Sequence, residues 1–580
     1  MVSTISSSAQ VFFKYTPGKS SRKQACTGGI LYNWLITGEG REEYMKIKNP
    51  ILKGFHPDPS IIRVADDYYI ATSTFEWWPG VRIHHSKDLV NWELIGYPLT
   101  RVSQLDLRGV GASQGIWAPC LTYEKGTFFL VYTVVNSFYC NMYDTNNYLV
   151  TATDINGPWS EPVPLNNFGF DPSLFHDDDG RKYMVSMVTD HRIPKKYVGR
   201  LVLQEYSHEE QKMVGEVKEI YKGDKIFLEG PHIFKRGSYY YLFTADTGTG
   251  EGHGQSIQRS RSVWGPYEWY EGNSILTARN HPELLLQKSG HCDLVETQNG
   301  EWYAVHLCGR ALANRNPEGV KFAGARRYTL GRETAIQKMR WTEDDWLVLT
   351  NGTNLPEETV DAPELPEYPF PEKPVRDDFD QERLDMEFQS LRIPLDDTYY
   401  SLSARKGYLR LYGRSGLSSR FSQSLIARRW TEFQFEASTC MEYEPVAFKN
   451  MAGLICMYDY DNYFYLHVTQ DEDAGKCISI LTAENQKYGY PVGFRPITDN
   501  GKIYLKVTVD HDKLQFYYST NGEEGYIEIG PQLDASILSD EACNEGWFSG
   551  AMVGICCQDL TGFRTYADFD YFEYKAAEVR

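Results

Sequence analysis

The chain has 580 residues, more than one hydrophobic core usually supports, so two domains are the first expectation. Its formal net charge is −19, from 59 basic and 78 acidic side chains. With no Lys/Arg run to offset that charge, phosphate backbones and anionic lipid surfaces are excluded as natural partners and a neutral substrate is favoured. Aromatic residues make up 14% of the chain, with 41 Tyr, 13 Trp and 48 Gly, a composition of short strands and turns.

Residues 1–44 have neither the uninterrupted apolar core of a secretion signal nor the strand-and-turn rhythm that marks the chain after Met45. Met45, which opens "MKIKNPILKGFHPDPS", is expected as the biological start, with 1–44 an N-terminal extension outside the chemistry. From Met45 onward similar blocks recur at roughly 50–60 residues, close to the repeat of a four-stranded propeller blade. They open with "HPDPSIIRVADDYYIATS", "IWAPCLTYEKGTFFLVYT", "GFDPSLFHDDDGRKYMVSM", "LEGPHIFKRGSYYYLFTA" and "GHCDLVETQNGEWYAVHL". Within them "ADDYY", "EKGTFF", "DDDGRKY", "KRGSYYY" and "TQNGEWY" are turn signals joining antiparallel strands. The five blocks predict a five-bladed β-propeller over 45–350.

A propeller converges the innermost strand of every blade on one axis. Asp58, Asp171, Glu229 and His291, from the first, third, fourth and fifth blocks, are therefore expected to share a pocket. After the fifth block come six prolines between Leu355 and Arg376, the mark of an extended connector over 351–376 with little core. From Asp377 the strands alternate without a repeat ("YLRLYG", "NYFYLHVT", "KIYLKVTVD"), which predicts a β-sandwich over 377–580. Its ends, "RDDFD" and "YADFDYFEY", are candidates to pair as adjacent strands. The fold class is all-β.

Cutting a glycosidic bond needs one carboxyl to protonate the departing oxygen and another to activate water or attack carbon. Asp58 stands between two prolines, which fix their own φ and restrict the residue before them, as suits a base held in one pose. Glu229, approached through the apolar "IFLEG", is set for partial burial, which favours the neutral acid and makes it the proton donor. Asp171 repeats the first motif in another blade and is read as a third carboxylate that keeps the donor's pKa high and orients it. Taken alone, an Asp before Pro is usually a turn residue. What sets these three apart is that they occur at one point of the repeat.

"NPILKGFHPDPSIIRVADDYYIATSTFEWWPGVRIHHSKDLVNW", "GFDPSLFHDDDG", "LEGPHIFKRGSYYYLFTA" and "GHCDLVETQNGEWY" closely resemble the β-xylosidases of glycoside hydrolase family 43, and the likeness continues to "GAMVGI" and "ADFDYFEY". The resemblance implies a five-bladed propeller followed by a β-sandwich and an exo-acting enzyme. That enzyme would release xylose from the non-reducing end of xylo-oligosaccharides with inversion. It gives Asp58 as general base, Asp171 as modulator of pKa and orientation, and Glu229 as general acid. An inverting pair should lie roughly 6.5–9.5 Å apart, leaving room for a water. The resemblance also implies that Arg332 in "LGRETAIQK" hydrogen-bonds sugar hydroxyls. By the same resemblance Phe75 and Trp117 are expected as apolar walls of the sugar pocket, and His291, near the propeller axis, as a further substrate-binding residue.

No metal site is read from the sequence, since "HPELLLQKSGH" has no ligand spacing; Ca²⁺ held mostly by water near the axis is the first candidate if a cation binds. "TGTGEGHG" lacks a following helix and reads as a loop near the pocket, and "DDDG" at 177–180 as a hairpin turn. The long "RALANRNPEGVKFAGARRYTLGRE" of the fifth block is read as a loop beside the pocket. Eleven scattered cysteines without a CxxC pair read as reduced thiols of a cytoplasmic protein. No apolar run approaches bilayer length. An α-L-arabinofuranosidase or a bifunctional enzyme is the nearest alternative, a non-catalytic sugar-binding propeller the next, and a homo-oligomer stays open. The second domain is expected to pack on the propeller and close one side of the pocket, through the "NEGWFSGAMVGI" segment.

Overall fold

The computed structural model describes residues 45–138, 142–192, 199–222, 226–312, 326–497, 501–562 and 564–577. The readings of residues 1–44 and of the centre of the fifth-block loop, 313–325, lie outside them. Among the described residues the secondary structure is β throughout, with a few 3₁₀ turns and no α-helix.

Five antiparallel blades succeed one another, each from one stretch of chain; four have four strands, and the fourth blade gains a fifth, Leu276–Thr277. Blade I runs through Ser60–Val64, Asp67–Thr72, Arg82–Ser86 and Glu93–Gly96. The innermost strands of blades II to V are Gly115–Glu124, Phe170–His176, Leu228–Arg236 and Gln287–Glu296. These inner strands carry apolar residues on both faces because they touch neighbouring blades as well as the axis. The "DDDG" turn joins two strands of blade III: Gly180 N–H donates to Asp177 O at 2.9 Å, as a hairpin requires.

The connector departs from the sequence expectation. Thr359–Asp361 is a strand that pairs antiparallel with Lys46–Lys48, and Val360 and Ala362 are buried. Ile47, Leu52 and Val360 pack there against Ile61 and Ile70 of blade I and Val295 and Ile336 of blade V. A prolyl-rich composition thus still supplies a strap over the seam between the first and last blades, because three residues free of proline suffice for a short strand.

The C-terminal domain is a sandwich of an eight-stranded and a nine-stranded sheet, with aliphatic and aromatic side chains of both inner faces forming one core. The alternation in Ile503–Asp510, buried at every second residue, shows why this sequence makes a one-sided strand. Arg376 and Asp377 pair with Glu573 and Phe572, joining the ends of the domain as their sequences indicate. One edge strand comes from elsewhere. Trp77–Trp78, in the excursion after the second strand of blade I, pairs with Ser390 and Leu391, so the nine-stranded sheet runs into the propeller domain.

Candidate active site

The innermost strands start irregularly. In blades II to V the register with the next strand shifts at Trp117/Cys120, Phe170/Ser173, Glu229/His232 and Gly290/Asp293. Such bulges re-aim side chains. At this level Asp58, Asp171, Gly230 and His291 all have positive φ, 54°, 49°, 53° and 54°. Asp tolerates the left-handed region better than most residues, yet the conformation still costs about 1–3 kcal/mol and persists only where surroundings enforce it. Proline follows Asp58, Asp171 and Gly230, and since it biases its predecessor toward extended backbone of negative φ, the conformation is held by the surroundings and not by the proline. The equivalent of the two aspartates in blade IV is thus Gly230, and Glu229 stands one residue before it.

Asp58, Asp171, Glu229, Arg332, His291, Phe75 and Trp117 line one pocket, so every residue singled out from the sequence meets there. Phe170, Thr249 and Phe548 complete its wall. A larger axial cavity, about 310 Å³, lies among Ser173, His232 and Asp293, two to three residues further along the same strands, and none of the three carboxyls lines it.

Asp58 Oδ1 accepts from Arg332 Nη1 at 2.6 Å and Oδ2 from Ser73 Oγ at 2.7 Å. Asp171 Oδ2 accepts from the Gly230 N–H at 3.0 Å, which ties the third carboxylate to the peptide that follows Glu229. Burial and the nearby Asp58 charge push the Glu229 carboxyl up to about 7 against the opposing pull of Arg332. Burial, then the charges of Glu229 and Asp58, hold Asp171 well above the usual carboxylate range. Asp171 and Glu229 are thus both held toward the neutral form.

Burial lowers the His291 imidazole to about 3, so the ring is neutral, with Nδ1 3.9 Å from Asp58 Oδ1. It offers one nitrogen and no oxygen, whereas Ca²⁺ takes six to eight oxygens. No group of three or more His, Cys, Asp or Glu side chains able to hold a metal occurs among the described residues.

Arg332 is 4% exposed, and beyond Asp58 its Nη2 donates to Phe548 O at 3.2 Å. Its Nε has no partner among the described residues. The Thr249 hydroxyl is likewise unpartnered. The apolar wall is a cluster of rings: Trp117 lies 5.4 Å from Phe170 and 5.3 Å from Phe548, both edge-on, and Phe75 is 6.2 Å from Phe548.

Phe548 belongs to the sandwich and is tied at both ends, its N–H donating to Ser113 Oγ at 3.1 Å and its carbonyl accepting from Arg332. The second domain thus supplies one wall of the pocket. The sequence singles out the surrounding segment but not this residue. Phe170 adjoins Asp171 and is open to the same reading, while Thr249 sits in the glycine-rich stretch and carries no local signal of its own.

The model of the family "Glycosyl hydrolases family 43" matches residues 47–347, and that of "Beta xylosidase C-terminal Concanavalin A-like domain" matches 376–575. A β-xylosidase of Bacillus subtilis is 46% identical over 537 residues, 92% of this chain and all of that protein. A xylan 1,3-β-xylosidase of a Vibrio species is 44% identical over 91% of this chain and 99% of its own length. The crystal structure of a xylan β-1,4-xylosidase from Bacillus halodurans superposes with a TM-score of 0.88 at 49% identity, over 91% of this chain and all of that one. Matched across its propeller and its sandwich alike, the chain belongs to glycoside hydrolase family 43.

Proposed function

We propose that the protein is an exo-acting β-1,4-xylosidase that releases xylose from the non-reducing end of xylo-oligosaccharides with inversion. Asp58 acts as general base, Glu229 as general acid and Asp171 as the group that modulates the acid's pKa and orients it. The observation that carries this reading is the difference in setting of two carboxyls in one pocket. Asp58 is paired with a guanidinium, while Glu229 is held up to about 7 and so keeps a transferable proton near neutrality. A water attacks the anomeric carbon and passes its proton to Asp58. The bond from that carbon to the glycosidic oxygen breaks, and the oxygen takes the proton of Glu229.

The wall contributed by Phe548 supports exo action, because a pocket closed on one side accepts a chain end. The nine cysteines among the described residues are buried free thiols, which supports a reducing, cytoplasmic setting.

Proton NMR of the first-formed xylose tests the mechanism: the α-anomer is expected, and initial β-xylose would overturn inversion. Asp58→Ala is expected to lose at least about 10³-fold in kcat with its fold and sugar binding intact. Unchanged turnover would reject both the base and the enzyme reading in favour of a sugar-binding propeller. Linkage is chosen outside a pocket that holds only the terminal sugar, and the Vibrio relative is named for the 1,3 bond. Comparing 1,4- with 1,3-xylobiose settles the bond, and comparing nitrophenyl β-xyloside with α-L-arabinofuranoside settles the sugar. A greater rate on the arabinoside would reverse the order of preference.

A further inference from the structure

Both oxygens of Asp58 are engaged by the protein. Oδ1 takes Arg332, while Oδ2 takes the hydroxyl of Ser73. Ser73 is fully buried, immediately after the second strand of blade I, in the run Ser73-Thr74-Phe75 that leads to the pocket wall. Its backbone N–H donates to Pro57 O at 3.1 Å. One residue therefore grips both the peptide that enters Asp58 and the far oxygen of its carboxylate.

The torsion that turns a carboxylate about its Cβ–Cγ bond is broad and roughly two-fold, so a donor on one oxygen alone leaves the plane of the group poorly fixed. A donor on each oxygen fixes it. The Ser73 hydroxyl has a single proton to donate, and Asp58 receives it. A hydrogen bond to the charged form of a carboxylate also favours that form.

We propose that Ser73 is a positioning residue of the hydrolytic reaction, its hydroxyl setting the plane of the Asp58 carboxylate so that a lone pair faces the attacking water. The proposal rests on reading Asp58 as the base. Ser73 is not among the residues that line the pocket. Its loss should accordingly fall on turnover and leave sugar binding alone.

The test compares Ser73→Ala, Ser73→Thr and Ser73→Cys in the whole chain on 1,4-xylobiose from pH 4 to 9, with circular dichroism to verify the fold. Ser73→Ala is expected to lower kcat about tenfold with KM within about twofold and to move the acid limb of kcat/KM upward by about one pH unit. Ser73→Thr, which keeps a hydroxyl, is expected to leave that limb in place. Should Ser73→Ala not fold, Ser73→Cys, similar in shape and a weak donor, carries the same comparison. An unchanged kcat, or a loss equal at every pH with the acid limb unmoved, overturns the proposal. A dead Asp58→Ala beside a silent Ser73→Ala removes only the positioning role, whereas an active Asp58→Ala removes the base assignment on which it stands.

Discussion

Arg332 Nη1 lies 2.6 Å from Asp58 Oδ1, and the same guanidinium reaches the carbonyl of Phe548 through Nη2, so one side chain joins the proposed base to the second domain. Its Cζ stands 5.5 Å from the ring centroids of both Phe75 and Phe548, between the two apolar walls. A lysine has a point charge on a flexible stem and cannot make both contacts. Arg332→Lys is expected to lower kcat/KM by about 10²-fold or more, with both kcat and KM affected. Steady-state kinetics on xylobiose decide it, and near wild-type values would detach Arg332 from the reaction.

The pH dependence is set by Glu229, the proposed acid, which works only while protonated. With its carboxyl held up to about 7, activity should fall as pH rises through about 7, forming the basic limb of the profile. Stability shares the sign. A carboxyl whose folded pKa is raised binds its proton more tightly when folded, so stability is full below the unfolded value of about 4.3 and declines as pH rises through about 7. Glu229→Gln should abolish the basic limb and raise Tm relative to wild type at pH 8, with no gain at pH 4. A Tm difference independent of pH would place the raised value elsewhere.

Much of this site was legible because its signals are local. Asp58, Asp171 and Glu229 each sit in a short proline motif at the head of a repeated strand, and strand periodicity with turn chemistry gave the blade count. What stayed hidden is set by contacts distant in sequence. Gly230 is the true counterpart of Asp58 and Asp171, but only the bulged register reveals it. The strap of Thr359–Asp361 was masked by its prolines, and nothing local shows that Trp77–Trp78 extends the sandwich sheet. The raised carboxyl of Asp171 was not legible either, since charge effects depend on distance and burial, which a motif does not contain.

Gly230 is irreplaceable on two counts. Its φ is 53°, and a Cβ placed there would lie 2.7 Å from His291 Nε2. Gly230→Ala would push the imidazole aside and disturb the N–H that holds Asp171. A loss of several kcal/mol in stability or about 10²-fold in kcat is expected. Thermal unfolding and kinetics together check this, and an alanine variant with wild-type Tm and turnover would contradict it.

Chelation separates an acid–base mechanism from a cation-assisted one. Prolonged treatment with EDTA is expected to leave kcat and KM unchanged, because the proposed proton donor and acceptor are both side chains. Loss of activity restored specifically by CaCl₂ would establish a cation held through water.

The two domains should not function apart. Trp77 and Trp78, 0% and 2% exposed, form an edge strand of the sandwich, and Lys288 Nζ donates to Glu541 Oε1 at 2.7 Å across a buried interface. Arg310 bonds Glu333 of blade V through Nε and Nη2 and Glu432 of the sandwich through Nη1 at 3.1 Å. Removing the sandwich strips Lys288 of its acid, and breaking a buried pair from one side costs about 3–5 kcal/mol, before the newly exposed tryptophans are counted. A fragment of residues 45–375 is therefore expected to be insoluble or unfolded by circular dichroism, and inactive. Because such a fragment also loses Phe548, Phe548→Ala in the whole chain isolates the wall. It should fold, retain the pH profile and raise KM about tenfold through lost apolar contact. A soluble, fully active fragment would make the sandwich dispensable, and an unchanged KM in Phe548→Ala would remove the second domain from the pocket.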